Sequence, residues 1–451
     1  MNGREELRRA ARSIFDATLA QADARLAVRR ALDFTRGRLT ILDTEFDLRE
    51  QALAVYSIAV GKAAGAMACA LDEVLGERIA GGVISAPPVN VRLSERWQVF
   101  AGGHPLPNEA SMKAARAAFA LLQQADAERA LIVFLISGGG SAMLEWPRDE
   151  NVTLAELQAA NRALVSCGAS IDEINAVRRA FSSVKSGGLA ACAPHAAQIS
   201  LIFSDTRRDE PYNVASGLTY DFPRGETTTA SEVVARYGLA AQLPASILRA
   251  VKRPRPHRTT NEQATLPRLH HVLLDNELAL ERAAEFAATL GFTVETARDV
   301  SEQAVEEGAR LLVSRLLDLR GREASGGRRV CLISGGEFSC PVRGTGVGGR
   351  NAETILRCAL EIEARAARLP ASERAHVVAL SAGTDGIDGN SPAAGALCDE
   401  TTLTRARALS LNAQHFLATS DAHTFFDALG DAVTTGATGT NVRDLRVFLA
   451  Q

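Results

Sequence analysis

The chain has 451 residues, 46% of them hydrophobic and 23% charged, with a formal net charge of −3. That length predicts two or three domains, the composition excludes a disordered chain, and the charge balance gives no case for nucleic acid or an anionic membrane as partner. No run reaches the ~18 apolar residues of a membrane span, the start MNGREELRRAARS lacks a signal-peptide core, and seven scattered cysteines without a CxxC pair predict reduced thiols in a cytoplasmic protein. The eight histidines show no metal-ligand spacing, so no structural zinc is expected.

Residues 5–36 read as an Arg- and Ala-rich helical stretch with Leu7, Ile14, Leu19 and Leu26 as apolar positions. The run AVYSIAV (54–60) predicts a buried strand that passes straight into Gly61, Lys62 and a small-residue helix. A lysine in the first turn of a helix faces the positive end of the macrodipole, so Lys62 either serves an anion or is an exposed side chain that tolerates the position. GGVISA (81–86) and QVFAGG (98–103) predict two more strands, and His104 in the following proline turn reads as a residue that orders the loop.

ALIVFLISGGGSAML (130–144) predicts a strand ending in Ser137, Gly138, Gly139, Gly140 and Ser141, a loop rich in N–H donors; no GxSxG elbow marks Ser141 as a nucleophile. Thr153 and Glu156 form a capping box for a helix to about Cys167. In the next helix Asn175, Arg178, Ser182 and Lys185 share a polar face, which suits either a ligand carboxylate or phosphate, or plain solvation. QISLIFS (198–204) is a strand ending at Asp205; Asp205 and Asp209 are candidates for metal or hydroxyl binding, or turn formers. Residues 252–271 are basic and proline-bearing and read as a linker. A strand and a long helical region from Asn276 to Arg320 follow, with GFTVETA (291–297) as an inserted strand.

The stretch VCLISGGEFSCPVRGTGVGGRNAET (330–354) reads as strand, glycine loop and helix start, the helix continuing through Ile355, Leu356, Ala359 and Leu360. Its LISGGEFS echoes the LISGGGS of the first half and suggests two α/β units facing one cleft, or convergence on a phosphate nest. Ser334, Gly335, Gly336, Glu337, Gly348, Gly349, Arg350 and Asn351 are the candidates here, with a phosphate-like guest at the helix entrance or two ligand-free turns as the alternatives. Beyond the strand HVVALSA (376–382) stand Asp385 and Asp388, and a Thr/Gly loop precedes a last strand.

Alternating strands and helices predict an α/β protein with mostly parallel sheets. Glycine loops, a lysine at a helix start, an arginine among glycines and acids at strand ends suit phosphoryl transfer, where catalysis is mainly positioning and charge neutralisation. The rival is a dehydrogenase, because GTGVGG (344–349) formally satisfies GxGxxG; a non-enzymatic ligand-binding protein is the third reading.

Taken together, AVGKAAGAMA, GGHPLPNEAS, LISGGGSAML, INAVRR with SSVKSGG, SDTRRDEP with ASGLT, SGGEFSCPVRGTGVGGRNAE, SAGTDGIDG with AAGA, and GATGTNVRDLR resemble, in this order, the glycerate 2-kinase family with a C-terminal MOFRL domain. Some members of that family carry the label hydroxypyruvate reductase. The resemblance implies ATP-dependent phosphorylation of D-glycerate, or a related small hydroxy acid, at the 2-hydroxyl, with ATP and Mg²⁺. It also implies a Rossmann-like N-terminal domain over residues 1–250, a linker at 251–272, a C-terminal α/β domain over 273–451, and an active site in the interdomain cleft. Lys62 and Arg350 match the residues held to be catalytic; Asp205 would serve the metal, and the loop residues above with Arg178, Lys185 and Asp385 would bind substrate or nucleotide. A small-molecule substrate, no nucleic acid, no membrane and room for a homodimer complete the expectation. The chain departs from the family pattern at Ala180, Arg207, Arg208, Leu218, Thr345 and Pro392, which moves charge about and favours a related, larger hydroxy acid.

Overall fold

The computed structural model describes residues 3–49, 53–88, 92–220, 229–253, 268–323, 328–370 and 375–451. The chain forms two compact units, Ala24–Leu274 on the one hand and Met1–Asp23 with Asp275–Gln451 on the other.

The Ala24–Leu274 unit opens with the helix Ala24–Ala31 and a small antiparallel sheet of β1 (Leu32–Thr35), β2 (Arg38–Ile41) and β3 (Thr44–Asp47). β1 takes the last residues of the helical stretch expected over 5–36, and β2 and β3 follow beyond it. Leu39 and Ile41 are buried while Arg38 is exposed, the two-residue period of a strand. Six further strands, β4 (Val55–Val60), β5 (Ile79–Ala86), β6 (Trp97–Ala101), β7 (Leu131–Ile136), β8 (Ala197–Phe203) and β9 (Arg268–Leu274), make one all-parallel sheet in the order β6-β5-β4-β7-β8-β9. Every residue of β4 and β7 is buried, as expected of central strands covered on both faces. The order reverses between β4 and β7, and in such sheets ligands bind beyond the strand ends at that reversal.

β9 corrects the linker reading. Residues 268–272 pair in register with β8, His270 opposite Ser200 and His271 opposite Leu201; Lys252, at the start of the expected linker, ends the helix Ala245–Lys252, and residues 254–267 lie outside the described residues.

In the second unit a six-stranded sheet runs β10 (Thr293–Thr296), β11 (Val330–Gly336), β15 (Asp444–Ala450), β12 (Val377–Gly383), β13 (Gly395–Asp399), β14 (Ala432–Val433). Only β10 and β11 pair in parallel, which corrects the expectation of mostly parallel sheets in both domains. The last strand inserts antiparallel between β11 and β12, so those two still point the same way and the helix Arg350–Ala366 joins them as a crossover. Insertion of β15 puts Asp444, its first residue, opposite Gly336 on one side and Gly383 on the other.

The helix Gly3–Gln21 belongs to this second unit and not with residues 24–250. Its Leu7, Ala11, Ile14 and Phe15 are buried in one cluster with Ile333, Val378, Leu380 and Val447. Arg8 on the same helix pairs with the buried Asp399 and Asp431.

Candidate active site

At the reversal point of the parallel sheet, the ends of β4 and β7 are tied together. Ser137 N–H donates to Val60 O (2.9 Å), Lys62 N–H to Gly138 O (2.9 Å) and Ala63 N–H to Ser137 Oγ (3.0 Å). Gly61 takes φ +115° and presses so closely on Ser137 that a side chain has no room. Gly139 is left-handed at φ +81°, and a Cβ there would lie 3.0 Å from the His104 ring. Among the described residues the N–H groups of Gly138 and Gly139 donate to no protein acceptor. Two unspent donors on adjacent glycines, one left-handed, are the elements of an anion nest.

Lys62 stands half-buried at the head of the helix Ala64–Leu75. It is close enough to His104 that its charge, after partial burial of the ring, lowers the histidine pKa from the usual value. The Asp205 carboxylate, just past β8, packs directly on Gly138. Lys62, Ser137–Ser141, His104 and Asp205 therefore form one constellation.

A polar chain supports the far side of the nest. Ser141 Oγ bonds Ser216 Oγ (2.8 Å), Ser216 donates to Asn175 Oδ1 (2.8 Å), and Asn213 Nδ2 donates to Asp172 Oδ1 (2.6 Å). Ala215 and Ser216 sit at φ +50° and +59°, a conformation that side-chain-bearing residues rarely adopt. Ala215 in turn backs Gly140, where an added Cβ would approach it to 2.9 Å.

Arg178 and Lys185 have protein partners of their own. Lys185 is fully buried and paired with Glu145, whose other oxygen accepts from Ser182 Oγ at 2.6 Å. A buried cation needs a paired carboxylate, and Glu145 fills that need without any ligand. Arg178 Nε donates to Asn161 Oδ1 (3.0 Å). Asp209 is exposed on the surface loop with Arg207, 3.8 Å away.

The second unit gathers Glu337, Gly349, Arg350 and Asn351, but around carboxylates of its own. Arg350 Nε and Nη2 donate to Asp444 (2.7 and 3.1 Å), and Nη2 also meets Glu337 (2.8 Å). Asn351 Nδ2 donates to Asp444 Oδ1 (3.0 Å) and its Oδ1 accepts from Ser381 Oγ (2.5 Å). Asp388 accepts from the Asn351 and Ala352 N–H groups (2.9 and 2.8 Å). The helix entrance expected to attract a phosphate is thus filled by a side chain of the protein.

Three consecutive N–H groups of the GTGVGG loop are spent in the same way. Gly346 N–H donates to Thr419 O (3.1 Å), Val347 N–H to Asp421 Oδ1 (2.8 Å) and Gly348 N–H to Asn390 Oδ1 (2.8 Å). Its glycines serve close packing: a Cβ on Gly346 would come within 2.7 Å of the Asp421 backbone. Ser334 Oγ donates to Val300 O (2.6 Å), and Gly335 packs on Asn276. Asp385 accepts from Ile387 N–H (3.1 Å) and orders its own turn. The repeated LISGG segments therefore end in different surroundings, an unspent nest after β7 and a filled one after β11.

Asp444, Arg446 and Glu145 were not among the sequence candidates. The available signal was a charged residue at the edge of an apolar run, in NVRDLRVFLA and SAMLEWP.

Among the described residues no group of three or more His, Cys, Asp or Glu is gathered. Mg²⁺ keeps several waters and takes one or two protein carboxylates when substrate phosphates supply the rest, and Asp205 beside the nest fits that demand.

The comparisons with known proteins show what the chain as a whole is similar to. Residues 10–252 match a domain of unknown function, DUF4147, and residues 330–444 match the MOFRL family. A D-glycerate 2-kinase of Thermotoga maritima is 33% identical over 402 residues, 88% of this chain and 90% of that one. The chain belongs to the MOFRL-type glycerate 2-kinase family. A relative from Agrobacterium vitis with a provisional hydroxypyruvate reductase name is 33% identical over 98% of this chain and 94% of its own. The crystal structure of a glycerate kinase from Thermotoga maritima superposes with a TM-score of 0.81 at 30% identity, covering 99% of this chain and 100% of that one. No described helix is long and apolar enough to cross a membrane.

Proposed function

We propose that this protein transfers the terminal phosphoryl group of ATP to the 2-hydroxyl of D-glycerate, giving 2-phosphoglycerate. The observation that carries the reading is the unspent nest at Gly138–Gly139 beside Lys62, at the strand-order reversal of a chain one-third identical to a D-glycerate 2-kinase.

Phosphoryl transfer asks the protein for position and for positive charge where the phosphoryl oxygens gather it. The Gly138 and Gly139 N–H groups hold nucleotide phosphate oxygens, with Ser141 fixed by Ser216 at the rim. Lys62 neutralises charge on the transferring group. Asp205 would hold Mg²⁺, which when bound neutralises and orients the phosphate oxygens. Arg350 binds an anionic group of the substrate through the donors that Asp444 leaves over. The protein acts in the cytoplasm on a small hydroxy acid.

The reductase reading finds less support in GTGVGG, because the Gly346, Val347 and Gly348 N–H groups already have acceptors within the protein. The test is a product assay with Mg²⁺, ATP and D-glycerate in one arm, and NADH with hydroxypyruvate in the other. ATP-dependent 2-phosphoglycerate is expected; NADH oxidation without phosphoryl transfer overturns the proposal.

A further inference from the structure

Asp444 is fully buried at the first residue of the strand that separates β11 from β12, and four donors surround it. Arg350 Nε reaches Oδ2 (2.7 Å) and Arg350 Nη2 reaches Oδ1 (3.1 Å), the two-pronged arrangement of a guanidinium on a carboxylate. Asn351 Nδ2 donates to Oδ1 (3.0 Å) and Arg446 Nη2 to Oδ2 (3.4 Å). Arg446 is itself immobile: it is fully buried, lies 3.6 Å over the Phe338 ring and donates to the carbonyls of Gly335 and Gly336.

Burying a carboxylate this deeply is a poor way to stabilise a fold, since apolar residues of similar volume commonly do as well or better. What the carboxylate supplies is direction. Held at two nitrogens, the guanidinium is restrained against turning about its long stem, and the bonds to Asp444 and Glu337 use Nε and Nη2, which leaves Nη1 over. Only a fork with fixed geometry can be held by one edge while another edge stays available; a lysine ammonium has no second edge.

We infer that Asp444 is the positioning residue of Arg350, clamping the guanidinium so that its remaining edge meets the anionic substrate in one orientation. The inference rests on the reading that Arg350 takes part in phosphoryl transfer.

The experiment is a double-mutant cycle in the full-length enzyme. Asp444→Asn, Arg350→Ala and the double variant are assayed for kcat and for KM with ATP and with D-glycerate, alongside thermal melting. Asp444→Asn should lower kcat by about 10–100-fold with the KM for ATP within about twofold of wild type, and the double variant should be no slower than Arg350→Ala alone. Multiplying losses, or a wild-type kcat in Asp444→Asn, overturn the inference. An active Arg350→Ala overturns the reading beneath it instead. Arg350→Lys tests the clamp even where Asp444→Asn fails to fold. It should lose as much kcat as Arg350→Ala, and retention within about threefold of wild type counts against the clamp.

Discussion

Asp388 closes the entrance of the helix Arg350–Ala366 by accepting from the N–H groups of Asn351 and Ala352, one carboxylate oxygen to each. Burial, and secondarily the neighbouring Asp444, push its pKa up to about 6 against the pull of those two N–H bonds and of Arg350. A carboxyl group whose folded pKa lies above its unfolded value favours the folded state fully below the unfolded pKa, and that contribution is lost as pH rises through the folded one. The stability lead of wild type over Asp388→Asn should therefore shrink between about pH 4 and pH 6.5, by on the order of 2 kcal/mol. Denaturant midpoints across that range check this; a difference that does not move with pH would mean that Asp388 is ionised throughout.

Lys62→Ala should lower kcat by about 10²–10³-fold, the usual loss on removing one donor to developing charge. The side chain is half-exposed, so thermal melting should move by no more than about 2 °C. Wild-type turnover in this variant would remove Lys62 from the mechanism.

The two glycine loops should respond differently to alanine. At Gly139 the left-handed backbone and the nearby His104 ring oppose a side chain, so Gly139→Ala should weaken ATP binding about tenfold by spoiling the nest, together with a stability loss of about 1–2 kcal/mol. Gly346→Ala crowds the Asp421 backbone and should lower stability while the affinity of the folded enzyme for ATP stays within about twofold. Calorimetric titration with ATP separates the two, and equal losses of affinity would return GTGVGG to the nucleotide site.

For Lys185 the expected loss is one of stability. Lys185→Met leaves Glu145 buried without its cation and should cost about 3–5 kcal/mol. A Glu145→Leu/Lys185→Met double variant should recover most of that with substrate KM values near wild type. A raised KM for either substrate in a stably folded double variant would restore Lys185 as a ligand group.

The parallel unit was readable because its strands are unbroken apolar runs that stop at glycine: VYSIAV ends at Gly61 and LIVFLI stops one residue before the glycines of Ser137–Ser141. Hydropathy carries no strand direction, so nothing in RDLRVFLA announced that it would insert antiparallel between two strands that point the same way. Arg38–Asp47 carried no strand expectation because four-residue strands offer too few alternations to stand out in the sequence. Glycine content marked both loops equally. Whether an N–H is spent depends on acceptors far along the chain, Asn390 and Asp421 for one loop, and these have no local signature. The same holds for Asp444, which meets Arg350 only through the sheet register.

The membership of the first helix has a consequence for synthesis. Gly3–Gln21 is made before every strand of the sheet that Leu7, Ile14 and Phe15 cover, and its partners Ile333, Val378 and Val447 follow only after the whole of Ala24–Leu274. At cellular translation rates its apolar face waits roughly 15–90 s for them. The unit that begins first is finished last, so the intervening unit has time to fold alone while the leading segment stays open to chaperones, and a fusion placed ahead of Gly3 burdens the assembly of the carboxy-terminal half.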